Sequence, residues 1–333
     1  MLRVPTRPAA LETRMKQRQL GNRSVGQIGF GAMSFGGMFG ATDEATSLAC
    51  LDAAWDASIS HYDTANIYGM GVSEEIIGRW GRRDIHLATK CGIVNGPPRS
   101  VRNDEPYIRQ CLDESLRRLK REHVDLYYIH RRQPDIPVEE VAGTMARLVE
   151  EGKIGGYGLS EVAPSTLRRA HAEHPVTAVQ NEFSLWSRLP QLGLIQACQE
   201  LGVAFVAFSP LGRGMFGRAP LTRDFRPGID FRDTNPRFID PNFSANLAAV
   251  APFRALCAAR GWLVPGTALG WVLAQGEHII PIPGTRTADH LQDWQVPLLG
   301  AEDLADIGRV LPAGFAHGAR YGDHQMAFVE RYC

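Results

Sequence analysis

The sequence predicts an α/β protein, a (β/α)8 TIM barrel with a short N-terminal β-hairpin and long strand-end loops. Three observations carry this. Eight short β-rich runs alternate with helical periods along the chain, the pattern of parallel strands joined by helical crossovers. The runs are nearly continuous in apolar character, as strands buried on both faces should be. The chain of 333 residues is long enough for eight such units. The competing doubly wound sheet would carry a G-x-G-x-x-G turn after its first strand, and Gly-Phe-Gly-Ala-Met-Ser at 29–34 lacks the third glycine.

In chain order, a hairpin is expected around Leu20-Gly21-Asn22. The strand runs follow at 27–33, 59–63, 84–90, 124–130, 153–160, 176–180, 203–209 and 278–284. Between them, Asp104 and Pro106 suit a helix start over 104–120, where Ile108, Cys111, Leu112, Ser115, Leu116 and Leu119 share a stripe. A second clear helix over 137–151 has Val138, Val141, Met145, Leu148 and Val149 on one face and Gly152 just past its end. The stretch 210–242, rich in Gly, Pro and Arg, is too irregular for a helix or strand, and a loop that long in a compact domain is usually functional. One barrel domain over 19–333 is expected, preceded by a flexible tail over 1–18. That start is basic, with Glu12 its one acidic residue, and lacks the apolar core of a secretory signal; a transit peptide is the alternative.

Composition excludes several classes. Lys plus Arg and Asp plus Glu number 36 each, so the basic excess of a nucleic-acid binder is missing. No apolar run reaches the length of a membrane span. Six cysteines are scattered without a CxxC pair, and Cys50, Cys111, Cys198 and Cys257 fall on apolar helical faces. This suits a reducing, cytoplasmic setting. No metal site is expected: His171 and His174 lie three apart, but on a charged, surface-like helix.

Active sites of such barrels lie at the C-terminal ends of the strands. Three runs end on polar groups: Asp63, with Tyr68 on the loop after it; Lys90; and His130. A phenol titrates near ~10, too high for an easy general acid at neutral pH. A nearby ammonium favours the phenolate and lowers that value. Lys90, held by Asp63, would play that part, with His130 hydrogen-bonding the substrate oxygen or the tyrosine. Singly, each residue has an ordinary structural explanation. Four at consecutive strand ends assemble a proton donor for a carbonyl.

The segments DTANIYGMGVSEEIIG, LATKCG, LYYIHR, GLSE, VQNEFSLWSR, FSPLGRG and PIPGTR, in this order from about Gln19 to Arg309, resemble the aldo-keto reductase superfamily. The resemblance implies metal-free, reversible, NADP(H)-dependent reduction of small aldehydes or ketones, with Asp63, Tyr68, Lys90 and His130 as the catalytic tetrad. It places the nicotinamide carboxamide at Ser160, Glu161 and Gln180, although the family often has Asn where Glu161 stands. Phe208 would stack on the nicotinamide ring, and Ser209, Leu211 and Arg213 would line a pyrophosphate loop. Gly31 and Ala32, at the end of the first strand, fall on the cofactor side. Gly284, Thr285, Arg286, His290 and Asp293 would meet the adenosine 2′-phosphate and adenine. Gly284 and His290 replace a common Lys and Arg, which leaves NAD(H) as the less favoured alternative. Trp294 would stack on adenine or pack in the core. Met33, Phe35, Ile93, Trp186 and Arg188 are candidate substrate contacts. Cys91 reads as a packed thiol. Two rival functions remain open: an NADP(H)-binding sensor or regulatory subunit, and a metal-assisted lyase or isomerase. The substrate, the oligomeric state and the role of 312–333 are not legible.

Overall fold

The structure is a computed structural model that describes residues 15–96 and 99–332. The tail expected over 1–18 lies outside the described residues as far as residue 14. Its last residues already belong to the hairpin, whose strands Gln17–Leu20 and Arg23–Gly26 pair around Gly21.

Eight parallel strands follow: β1 (Phe30–Gly31), β2 (His61–Asp63), β3 (His86–Cys91), β4 (Leu126–Ile129), β5 (Tyr157–Ser160), β6 (Ala178–Glu182), β7 (Ala204–Phe208) and β8 (Ile279–Ile282). Six lie within the expected runs, while β3 runs one residue past 84–90 to Cys91 and β6 two past 176–180 to Glu182. They are paired in sequence order. Backbone bonds from Gly29 N to Pro281 O (3.0 Å) and from Gly31 N to Pro283 O (2.9 Å) join the first strand to the last and close the barrel.

The crossover helices are α1 (Glu44–Asp56), α2 (Val72–Trp80), α3 (Glu105–Leu119), α4 (Val138–Glu150), α5 (Pro164–Glu173) and α6 (Leu194–Leu201). Two further helices, α7 (Asn242–Ala259) and α8 (Val264–Leu273), separate β7 from β8, and α9 (Ala301–Val310) follows the barrel. Asp104 caps α3 by accepting from Tyr107 N at 3.2 Å, and the expected stripe of that helix is buried. Among the described residues no single helix is long and apolar enough to cross a membrane.

Alternation along the strands divides the core in two. Outward-facing side chains pack against the helices. Inward-facing Ala88, Leu126, Tyr128, Ala178, Ala204, Val206, Ile280 and Ile282 fill the barrel, with Leu20 and Val25 of the hairpin packed against them from the N-terminal end. Arg18 anchors this plug, its guanidinium donating to Ile279 O (2.8 Å) and Leu273 O (3.1 Å). At the same end the buried His61 and His86 meet through their Nδ1 atoms at 2.9 Å. The five described cysteines are unpaired and buried.

Candidate active site

Asp63 pairs in register with Ala88, so Lys90, two residues further along β3, faces the same interior one layer nearer the mouth. There Lys90 Nζ donates to Asp63 Oδ1 and to Thr64 O (2.8 Å), and Gln180 Nε2 donates to Asp63 Oδ2 at 2.8 Å. Both partners of the ion pair are almost wholly buried. Burial pulls the Lys90 ammonium down and pushes the Asp63 carboxyl up, and each opposes the other's shift.

Tyr68 sits on the turn after β2. The turn is pinned to β3 by Thr64 N to Ala88 O (2.9 Å) and Asn66 N to Lys90 O (3.2 Å). Beyond it, Gly69 has φ +60°, and a Cβ on Gly36 would stand 2.4 Å from Gly69 N. Two backbones touch there, and only glycine permits it. This contact holds the tyrosine turn against the loop after β1. The Tyr68 ring meets that of His130 edge-on at 5.7 Å between centroids, and Lys90 Nζ stands 5.3 Å from the Tyr68 ring centre. The tetrad therefore assembles as the strand ends suggest.

Its electrostatics differ from expectation. Burial pushes the Tyr68 phenol above its usual value, Asp63 adds to this, and Arg131 opposes it. The expected lowering by Lys90 is not found, because Asp63 matches the ammonium charge at contact distance. His130 is driven well below the usual imidazole value by burial and by Arg131, Lys90 and Arg99, so the ring is neutral. Its Nδ1 is buried without a partner among the described residues.

Two adjoining cavities meet at Tyr68. The larger, about 640 Å³, runs from Gly31, Asp63, Tyr68, Gln180 and Phe208 past Ser209 and Leu211 to Gly284, Thr285, Arg286, His290, Asp293 and Trp294. The smaller, about 280 Å³, holds Met33, Tyr68, Ile93, His130, Ser160, Gln180 and Phe208. Most expected cofactor residues thus line one groove. Its width depends on missing side chains: a Cβ on Gly284 would stand 2.5 Å from Gly31 O. Thr285 Oγ1 lies 2.8 Å from His290 Nδ1, and Arg286 is exposed at the far end. Arg218 on the 210–242 loop donates to Asp293 at 2.8 Å (Nε to Oδ1), joining that loop to the segment after β8. Trp294 is buried, packing 6.2 Å from the Phe30 ring, and also borders the groove.

Several expected contacts are placed elsewhere. Ala32 is buried, and its carbonyl accepts from Ser73 Oγ (2.9 Å). Glu161 lines neither cavity: its carboxylate is buried against Arg320 and accepts from Glu182 N (2.8 Å). Arg213 lines both cavities, but its guanidinium is bound by Glu182 at 2.7 Å, with the rings of Tyr321 and Phe231 about it, so it is not free to grip a phosphate. Of the substrate contacts, Met33 and Ile93 line the smaller cavity. Phe35 is core beside Phe30. Trp186 is buried among Phe216 and Phe238. Arg188 lies over Trp271 and donates to Leu311 O (2.7 Å). Bulky aromatics at a strand end found apolar neighbours rather than the mouth. Cys91 is a packed thiol, pushed up by burial.

The sequence reading misses Arg99 and Arg131, and also Tyr321, Gln325 and Phe328, which close the smaller cavity from the C-terminal segment. Arg131 carried a signal, being adjacent to His130; the C-terminal residues carried none.

Proton-bearing groups beside a long groove are what an oxidoreductase on this barrel requires. Residues 27–305 match the model of the aldo/keto reductase family, and the chain belongs to that family as an aldo-keto reductase. It is 41% identical over 288 residues to "Aldo-keto reductase yakc [NADP(+)]" of Schizosaccharomyces pombe, covering 83% of this chain and 84% of that one. "Probable aldo-keto reductase 1" of Glycine max is 36% identical over 92% of both chains. Among solved structures, the glycerol dehydrogenase AKR11B4 from Gluconobacter oxydans superposes with a TM-score of 0.79 at 30% identity, covering 89% of this chain and 94% of that one.

Proposed function

We propose that the protein reduces aldehydes or ketones to alcohols reversibly with NADP(H), Tyr68 giving the proton. One observation carries this reading: Tyr68, beside a neutral His130 and the Lys90–Asp63 pair, stands on the wall shared by the two cavities. The S. pombe relative, whose name carries NADP(+), supports the choice of cofactor. The groove suits a dinucleotide in shape and donors, with Phe208 for ring stacking, Ser209 and Leu211 along the middle, and Thr285, Arg286 and His290 for a 2′-phosphate.

When bound, NADPH supplies the hydride. The chain supplies the rest. A phenol held above its usual pKa is protonated at neutral pH, which is the form a donor needs. His130, neutral, orients the carbonyl oxygen without adding a second acid. As negative charge develops on that oxygen, Tyr68 releases its proton to it, and the charge of Arg131 favours the phenolate left behind, while Lys90, 5.3 Å from the ring, stays paired with Asp63. The five described cysteines, all unpaired, fit a reducing compartment such as the cytoplasm.

The test is NADPH consumption across aldehydes, ketones and sugar aldehydes, with NADH in parallel, for the wild type and Tyr68→Phe. Tyr68→Phe should lose about 10²- to 10⁴-fold in turnover while binding NADPH within about tenfold of wild type. Wild-type turnover by Tyr68→Phe would remove the mechanism. A wild type that binds NADPH but turns over nothing would favour a regulatory subunit.

A further inference from the structure

The smaller cavity is apolar over most of its wall, with Met38, Phe39, Ile67 and Phe231 among its lining residues. Against that wall stand three guanidiniums, from Arg99, Arg131 and Arg213, and among the described residues no Asp or Glu lines the cavity. Arg213 is neutralised by Glu182 at 2.7 Å. Among the described residues, the other two pair with no carboxylate. Arg131 donates to neutral acceptors, His130 O (2.5 Å) and Ser160 Oγ (3.1 Å). Burial and the charge of Arg131 both pull the Arg99 guanidinium below its usual value, with no carboxylate among the described residues opposing them. Like charges brought together in a partly desolvated pocket are unfavourable unless an anion comes between them. Arginine forks match oxyanions in geometry as well as charge.

Resting on the reductase reading, we infer that Arg99 and Arg131 form an anion subsite, and that the preferred substrates are oxo acids, aldehydes or ketones that carry a carboxylate. The carbonyl lies at Tyr68 and His130 and the carboxylate at the guanidiniums. Hydride goes to the carbonyl carbon, the Tyr68 proton goes to its oxygen, and the carboxylate passes through unchanged. A cavity of about 280 Å³ admits a short-chain compound of this kind.

The experiment compares a short aldehyde acid, its neutral primary amide and a phosphate-bearing aldehyde of similar length, each with NADPH. The acid should exceed the amide at least tenfold in kcat/KM, mainly through KM. Added salt should raise KM for the acid and not for the amide. In Arg99→Gln and in Arg131→Gln the acid-to-amide ratio should collapse toward one, and Arg99→Lys should restore part of it. Equal kcat/KM for acid and amide in the wild type would overturn the inference while leaving the reductase reading intact. Preference for the phosphate ester over the acid would overturn the assignment to oxo acids. No turnover of any of the three by an enzyme that reduces other aldehydes or ketones would overturn the inference alone, whereas no turnover across the whole panel would remove the reductase reading as well. The wild-type comparison stands even where a variant fails to fold.

Discussion

Arg320 Nη1 donates to Glu161 Oε1 at 2.9 Å, joining the C-terminal segment to the mouth of the barrel. The same guanidinium stands 3.4 Å from Glu182 Oε2, which also holds Arg213. Arg237 lies 3.9 Å from the other Glu182 oxygen. Two carboxylates thus face three guanidiniums in a buried network. Further along, Glu330 pairs with Arg132 and accepts from Ala163 N (2.9 Å), and Tyr332 accepts from Asn181 Nδ2 (3.0 Å). The C-terminal segment is strapped across the mouth by these charges together with the apolar packing of Phe315, Tyr321 and Tyr332.

Arg320→Gln should release that strap. It leaves Glu161 buried without its cation, a loss of about 3–5 kcal/mol where nothing compensates. The expected result is faster proteolytic cleavage after residue 312 and a rise of roughly tenfold in substrate KM, since Tyr321 and Phe328 wall the smaller cavity. Unchanged KM and protease resistance would show that the strap is held by other contacts.

Lys90→Met should be costly to stability as well as to turnover, because it strands the Asp63 carboxylate in the barrel interior. A denaturant midpoint lowered by about 3–5 kcal/mol equivalent is expected. The double variant Asp63→Asn with Lys90→Met should recover much of that stability while staying inactive. If the double variant were no more stable than the single, the charge pair would not be the cause.

The His61–His86 contact makes stability fall in mild acid. Burial lowers both imidazoles from 6.5 to about 3, so between those values the unfolded chain binds more protons than the folded one. Stability contributed by the pair is therefore complete above about pH 6.5 and is lost as pH falls toward 3. Urea midpoints measured from pH 7 to pH 4 should drop steadily, and His86→Gln should flatten the slope. A slope unchanged by that substitution would assign the acid lability elsewhere.

Arg286→Ala should reduce selectivity for NADPH over NADH by about tenfold or more, mostly through the NADPH KM, if this exposed guanidinium meets the 2′-phosphate. Selectivity within twofold of wild type would leave Thr285 and His290 as its holders.

The barrel was legible because its strands, buried on both faces, are apolar runs with turn residues at their ends, and each of the eight runs overlaps an observed strand. The meeting of Asp63, Lys90 and His130 at the mouth was legible for the same reason, since each ends such a run. What pattern does not carry is the destination of a side chain at the mouth. Glu161 and Ser160 are neighbours in sequence, yet only Ser160 faces the cavity, because Glu161 adopts φ +57° and turns its carboxylate toward Arg320. Trp186 reads as a pocket aromatic until its partners Phe216 and Phe238, some 30 and 52 residues on, are seen. The 312–332 segment has no periodicity to read, since ion pairs to residues far back in the chain hold it.

The touch between Gly36 and Gly69 divides the mouth into a part that tolerates redesign and a part that does not. A library aimed at new substrates can vary Met70, which is 73% exposed, because its side chain meets solvent rather than backbone. Any side chain at either glycine would wedge the tyrosine turn away from its neighbouring loop and shift the proton donor itself. Mutational tolerance along these loops should therefore fall to nearly nothing at those two positions and recover one residue beyond Gly69.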